Sequence, residues 1–537
     1  MTRSTSEGRT RDDVTQRRQA ALVLAAIAVV FVALSAGLRP DAFYVGDPGV
    51  KLLAAHHAAA HPAHPLQVAL PTIGSDRVPH VSPFFIVHDD HAHAVTSELF
   101  PLLTAPLLAT LGLRGLYLWP AFGFLLALAA CARLGRALDP RRSAPVLIAT
   151  AAAGTPLLFY GLEFWEHAPA VAAATAAAAL FVKEEGRTGL AHAGTSGLAG
   201  ALFGLAVLLR PEAAWFALAV CAASRLLPVP PPLTSIAAAG AGALLVVAPF
   251  ELHDFLHFGS LVPGHLSANA ALLEHGWAAS RGTLAARWLL PPSFLSPPHG
   301  GSSDLWRVGP AAIAALISPA WAAERTGHRF LWTVAILDVL LVLLTAPNDG
   351  GGQWGPRYLL FAYVPLALLA SDVIDRGIQP KALAGARPDW VDKPRVRRTA
   401  IALLLLAALW VQRAGYRELK GAKSTYGRIA DFVAETAPPE STVVTDVWWL
   451  DQVAAAPLRN RNVLFAATDD DARGILSRMA DHGVPQAIVI RSREDGRSTA
   501  SWTDGVCYSE ERRDGLSTRS LVALRLRLDC PEQPQTR

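Results

Sequence analysis

Charge is what this sequence has least of. Only 17% of its 537 residues are Asp, Glu, Lys or Arg, against 52% that are hydrophobic. A soluble protein carries about a quarter of its residues charged, so the shortage excludes an ordinary soluble chain and makes lipid the natural solvent. Cysteine is scarce too, at four residues. Cys131 and Cys221 lie in apolar runs, where a thiol is a small hydrophobe. Cys507 and Cys530 lie in a polar C-terminal stretch and can form one disulfide if that stretch sits outside the cytoplasm. The sequence has no CxxC pair, zinc spacing or nucleic-acid motif. It also has no internal repeat, which disfavours carriers built from inverted halves.

What is abundant is the apolar run. Residues 20–38 follow Arg17 and Arg18, are long enough to cross a bilayer, and precede no cleavage site. They read as a retained first helix with a cytoplasmic N-terminus. Further runs follow at 116–134, 145–162, 168–182, 190–209, 213–223, 236–250, 308–322, 330–346, 358–370 and 400–411. The sequence thus predicts an α-helical polytopic membrane protein of roughly eleven spanning helices. Basic residues fall in alternate connections: Arg133, Arg136, Arg141 and Arg142, then Lys183 and Arg187, then Arg225, then Arg325 and Arg329, then the stretch 381–398. That alternation satisfies the positive-inside rule, so the net charge of +4 carries topology rather than a nucleic-acid footprint. The apolar stretch 100–112 would reverse the parity if it crossed, and is read as a helix dipping into the outer interface.

The chain accordingly divides into a cytoplasmic tail, 1–19, a membrane domain, 20–414, whose first outer loop is 39–115, and a small extracytoplasmic α/β domain, 415–537. In the last, 441–449, 462–466, 486–490 and 521–528 read as strands. A helix over 469–481 is entered through Thr468 as a cap. The setting is a bacterial inner or plasma membrane, and the connections rich in acids, histidines, aromatics and glycines collect on its outer face.

Several fragments in those connections carry chemistry. The first loop holds Gly46-Asp47-Pro48-Gly49-Val50-Lys51, where Asp47 before Pro48 is a helix start whose carboxylate accepts from orphan amides. The helix it opens mixes Lys51 and histidines with leucine and alanine, as a segment lying along the membrane surface does. Two roles are open to Asp47: cap, or general base. Next come Tyr160-Gly161-Leu162-Glu163-Phe164-Trp165-Glu166-His167, in which Glu163 and His167 are one turn apart if the helix persists, and Leu209-Arg210-Pro211-Glu212. Then follow a stretch ending in Pro263-Gly264-His265, Ser296-Pro297-Pro298-His299-Gly300-Gly301, and Gln353-Trp354-Gly355-Pro356-Arg357-Tyr358. Arg357 offers a planar fork suited to phosphate at a membrane boundary, or a snorkelling anchor. His88-Asp89-Asp90-His91-Ala92-His93 reads as loop, since adjacent residues rarely converge on one ion. Asp338 falls mid-helix, where a lone carboxylate requires a partner or a proton. It is the residue that supports a transporter, and an interhelix hydrogen bond is its structural role.

In this order the fragments resemble the GT-C superfamily of membrane glycosyltransferases, of the protein mannosyltransferase and lipid A aminoarabinose transferase type. Asp47 matches the acidic position of the first-loop motif, with Pro48 where a glutamate is common. The resemblance implies an inverting transfer of a hexose or pentose from a polyprenyl-phosphate carrier to a glycan, lipid or protein acceptor. Asp47 is then the catalytic base. Lys51, Glu163, Glu166, His167, Arg210, His265, Gln353, Trp354, Arg357 and Tyr358 are the candidate substrate-binding residues. Asp47, Glu163, Glu166 and His167 are the candidate ligands of a divalent cation, Mg or Mn. The alternatives are a transporter or flippase of lipid-linked or small solutes, and a non-catalytic member of the same superfamily.

Overall fold

The computed structural model describes residues 4–44, 46–183, 190–259, 277–290, 304–318, 327–348, 350, 353–378, 394–492, 502, 509–514 and 521–528. His265, His299, Gly300 and Gly301, together with Cys507 and Cys530, lie outside them. The chain forms two compact units, one from 1–38 and 117–419 and the other from 39–116 and 420–537. The first loop therefore belongs with the C-terminal segment.

The first unit is helical. Among the described residues of the whole chain, five helices are long and apolar enough to cross a membrane: Val14–Ala36, Leu99–Leu138, Leu233–Leu256, His328–Thr345 and Arg398–Thr436. Ala144–Gly154, His167–Val182, Ala193–Leu209 and Ala213–Leu226 are shorter and apolar. The protein is thus an integral, multi-pass membrane protein. Its helices pack through small residues, because a Cβ at Gly200 or Gly242 would strike backbone of the facing helix, at Ala239 and Gly197 respectively. At Gly123 an added Cβ would likewise meet Pro169.

One run of the sequence is interrupted. The run 145–162 splits into Ala144–Gly154 and Leu157–Leu162, because Pro156 cannot continue a helix. Carbonyls freed at that break, those of Ala153 and Thr155, accept from Gln412 Nε2 at 2.9 and 2.8 Å. The span Leu99–Leu138 is itself composite: as read from the sequence, the stretch from Phe100 forms its own helix, Leu99–Leu111, which ends at Gly112 with φ of 63°, and the 3-10 turn Gly112–Tyr117 leads into helix Leu118–Leu138. In the opposite sense, the helix read as ending near 411 runs unbroken from Pro394 to Thr436.

The second unit is built on a five-stranded sheet in the order Asn462–Phe465, Thr442–Thr445, Gln486–Ser492, Leu521–Arg527, Ser509–Asp514. The first three strands run parallel and the last two are added antiparallel. Alternation of side chains along each strand splits its core in two. Val444, Val489 and Leu524 face helix Asp469–Asp481, whereas Val443, Ile488, Ile490 and Ala523 face Phe432, Val433, Leu450 and Leu458. Thr468 caps helix Asp469–Asp481 through a reciprocal box with Asp471.

The first loop is anchored to this unit. Ile73 and Val78 enter the same core as Val444. Asn462 exchanges hydrogen bonds with the backbone of Thr72, at 2.9 Å to its N–H and 2.6 Å to its carbonyl. Arg39 makes a two-pronged pair with Asp431 at 2.7 and 2.8 Å. The His88 to His93 run is a hairpin, Phe85–His88 with His91–Ala94, turned by Asp89 and Asp90 at φ of 46° and 60°.

Candidate functional site

In the first unit the motif residues gather where helix Leu157–Leu162 breaks before His167–Val182. The helix does not persist from Glu163 to His167. Glu163 is extended, with φ of −106° and ψ of 153°, and Glu166 is the residue before the next helix. Glu163 and His167 thus lie either side of a break between helices rather than one turn apart on a single helix. Glu163, Glu166 and His167 are all buried, Glu163 with no exposed surface. Aromatic rings close around them. Tyr160 and Trp165 lie with ring centroids 4.9 and 5.3 Å from that of His167, and Phe159 stacks on Trp354 at 5.9 Å.

Arg210 is the hub. Its side chain is only 11% exposed, and it donates to Glu166 Oε1 at 3.2 Å and to Glu212. Its guanidinium also lies 5.6 Å from the ring centroid of Tyr358, and that of Arg357 lies 5.2 Å from the same ring. One tyrosine therefore gathers two cations, an arrangement that repels itself unless anions sit nearby. The acids Glu166 and Glu212 neutralise Arg210.

The turn carrying Arg357 is held from several sides. Tyr160 donates its hydroxyl to the Trp354 carbonyl at 3.0 Å, and Tyr358 donates to Asn348 Oδ1 at 3.3 Å. Gly350, at φ of 89°, leaves no room for a Cβ beside Gln353 Nε2 and Arg357 Nε. Glycine here lets the backbone come against those side chains. Tyr160, Glu212 and Asn348 join the cluster although the sequence reading did not place them among the binding residues. Glu212 was visible as an acid two positions past Arg210 across a proline, but nothing in its spacing distinguished it from a helix-start acid.

Asp338 also belongs to this unit and is fully buried, with neither carboxylate oxygen hydrogen-bonded among the described residues. The interhelix hydrogen bond expected of it is not formed there. An apolar cavity of about 320 Å³ lies in the same unit, lined by Thr150, Ala153, Gly154, Ala311, Ala314 and Ile401 among others.

Asp47 and Lys51 are in the second unit, on helix Asp47–Ala60. Gly46, at φ of 60°, is the cap residue, and Asp47 is the first helical residue with Pro48 behind it. Asp47 is half-buried and places its charge at the positive end of the helix. The helix is not a surface segment. Lys51 is 1% exposed, and Gly49 packs so closely on Gln452 that any Cβ would overlap the Gln452 backbone. Glycine and alanine on that face allow the approach, which a surface helix would not need.

Among the described residues, Glu163, Glu166 and His167 do not by themselves bring three ligand atoms within 4.8 Å of one another. Glu166 is instead engaged by Arg210.

No protein-family model and no curated protein matches the chain. Its fold is similar to that of the ArnT of Cupriavidus metallidurans. The apo form aligns at a TM-score of 0.55 and 12% identity, over 94% of this chain and 97% of that one. The form bound to undecaprenyl phosphate aligns at 0.53 and 13%, over the same shares. The likeness runs over most of both chains and shows a shared fold.

Proposed function

We propose that this protein is a membrane glycosyltransferase that moves a sugar from a polyprenyl-phosphate carrier to an acceptor hydroxyl. The observation that carries the reading is the pairing of two guanidiniums, Arg210 and Arg357, about one buried tyrosine, in a chain folded throughout like a protein solved with undecaprenyl phosphate. Arg210 is neutralised by its own acids. Arg357 is the cation assigned to the phosphate, whose two oxygens match its fork. The apolar cavity beside helix Ala144–Gly154 suits part of a prenyl chain, which is expensive to move into water.

Asp47 is assigned as the base. It takes the proton of the acceptor hydroxyl as that oxygen attacks the anomeric carbon, while the bond from that carbon to the phosphate oxygen breaks and the lipid phosphate leaves as an anion. Attack opposite the leaving group inverts the anomeric centre. Arg357 stabilises charge that is larger on the departing phosphate than on the bound donor, which is where a fixed cation accelerates a reaction. Which sugar moves, and whether the acceptor is a glycan, a lipid or a protein, is read by comparing envelope glycans and lipid-linked sugars with and without the gene.

The deciding substitution is Asp47→Asn, because asparagine serves a helix start about as well and accepts no proton. Sugar transfer in proteoliposomes should fall by about 10²–10⁴-fold at unchanged membrane abundance. Transfer at the wild-type rate rejects Asp47 as the base.

A further inference from the structure

The second unit contains a cavity that the donor chemistry does not use. Its volume is about 420 Å³, within the range of small-ligand pockets. One wall is the end of helix Asp47–Ala60, with His56, His57 and then His61, and the facing wall is the segment from Arg459 to Asn462. Leu53, Val68, Leu70 and Phe85 supply apolar surface between them.

Its charges are unbalanced. Arg459 and Arg461 donate to the main-chain carbonyls of Ala456, Ala437 and Pro457, and neither forms an ion pair with a carboxylate among the described residues. Burial pulls both guanidiniums below their usual values, and Arg459 lowers Arg461 further. Positive charge there also bears on the imidazoles. His56 is pushed down by burial and then by Arg459, and His57 by burial and then by the adjacent His61, on which its ring stacks at 4.5 Å. The cavity's single carboxyl is Asp451, 7% exposed, which accepts from the Ser82 hydroxyl and keeps Oδ1 without a hydrogen-bond partner among the described residues.

Two unneutralised guanidiniums call for an anion. A buried carboxyl with one oxygen unused suits a hydroxyl-bearing ligand, and the apolar strip suits the carbon face of a sugar ring. We propose that this cavity binds an anionic saccharide, its phosphate or carboxylate against Arg459 and Arg461 and its hydroxyls at Asp451. Resting on the transferase reading, the bound saccharide is the acceptor. Asp47 and His56 lie on one helix nine residues apart, about 14 Å along its axis at 1.5 Å per residue. The group held in the cavity is therefore not the group that reacts, and the acceptor is longer than one sugar.

The test is direct binding to the full-length protein in detergent, with glucose 6-phosphate, glucuronate, glucose and inorganic phosphate as probes, by calorimetry. Glucose 6-phosphate and glucuronate should bind and compete, with glucose and inorganic phosphate each at least tenfold weaker. Arg459→Gln should weaken both anionic sugars at least tenfold, and Asp451→Asn should erase the preference for sugar phosphate over phosphate. Equal binding of glucose and glucose 6-phosphate overturns the proposal, as does phosphate binding as tightly as the sugar phosphate, or Arg459→Gln binding like wild type. If Arg459→Gln does not fold, His56→Glu carries the same test by placing an anion on the opposite wall, and retained binding overturns it. No transfer is measured, so the two readings fail separately. Loss of transfer in Asp47→Asn without probe binding removes the acceptor cavity alone, whereas probe binding with normal transfer in Asp47→Asn removes the base alone.

Discussion

The hydroxyl of Tyr160 donates to the main-chain carbonyl of Trp354 at 3.0 Å, joining two segments 194 residues apart in the chain. Tyr160 opens one of the motifs read from the sequence and Trp354 stands in another. Both side chains are buried, and Phe159 stacks on the Trp354 ring from the same short helix. The turn that presents Arg357 is thereby fixed to the helix break that presents Glu163 and Glu166.

Tyr160→Phe should therefore act on transfer more than on folding. The ring and its packing stay, while the buried Trp354 carbonyl loses a donor at a cost of about 1–3 kcal/mol. If the turn shifts, the rate of sugar transfer should drop by about tenfold or more, since small displacements of a positioning group are expensive in rate. Purified protein assayed for kcat and for melting temperature separates the two effects. A variant that transfers at full rate shows that the bond does not position Arg357.

Arg142 and Asp372 form a second long-range pair, this one structural. Both are buried, at 1% and 0% exposure, and Arg142 donates through Nε and Nη2 to the two carboxylate oxygens at 2.9 and 2.7 Å. Removing one partner of such a pair leaves a buried charge and costs about 3–5 kcal/mol. Asp372→Ala should lower membrane abundance and melting temperature sharply, with the transfer rate per folded molecule near wild type. Normal stability would mean that Arg142 finds another partner.

What the sequence revealed and what it hid follow from physical range. Apolar runs announce helices because burial in lipid is read residue by residue, and the Thr468 cap announces its helix because cap and amide are three residues apart. The break at Glu163 was visible as the gap between the runs 145–162 and 168–182, and Pro156 marked the earlier one. The burial of Glu163 and the closure of Tyr160, Trp165 and His167 on one another were hidden, as was the Trp354 segment that Tyr160 and Phe159 meet. Burial of helix Asp47–Ala60 was hidden because Gly49 looks equally at home on a membrane surface until Gln452 is brought against it. The association of the first loop with the C-terminal segment depends on pairs such as Arg39 with Asp431, and no local pattern encodes a partner 392 residues away.

Asp338 separates transport from transfer. It is fully buried with no hydrogen bond to either oxygen among the described residues, and a desolvated carboxyl of that kind costs about 2 kcal/mol or more. A proton-coupled carrier would need that carboxyl, whereas the proposed transfer gives it no part. Asp338→Asn should leave sugar transfer within a factor of about two, and Asp338→Leu should melt at or above the wild-type temperature. A fall in transfer of a hundredfold in the asparagine variant, at normal abundance, would place Asp338 in the mechanism and reopen the transporter reading.

Asp451 makes the stability of the second unit depend on pH in an unusual direction. Burial raises its carboxyl to about 6, against the partial opposition of the Ser82 hydrogen bond, whereas in the unfolded chain it titrates near 3.8. A carboxyl raised on folding contributes stability that is complete below the unfolded value and is lost as pH climbs through about 6. His56 and His57 are pushed below the ordinary histidine value and so contribute in the opposite sense, stability gained as pH rises through the histidine range, but wild type and variant both carry them and the difference between the two proteins reports Asp451. Asp451→Asn keeps the shape and removes the titration. The variant should melt close to wild type near pH 4 and above it at pH 7.5, by up to about 3 kcal/mol at 1.36 kcal/mol per unit. Thermal melts of both proteins across that range decide the matter. A variant less stable than wild type at pH 7.5 would mean that Arg459 and Arg461 hold Asp451 ionised, and that the cavity's positive charge is already neutralised before any ligand arrives.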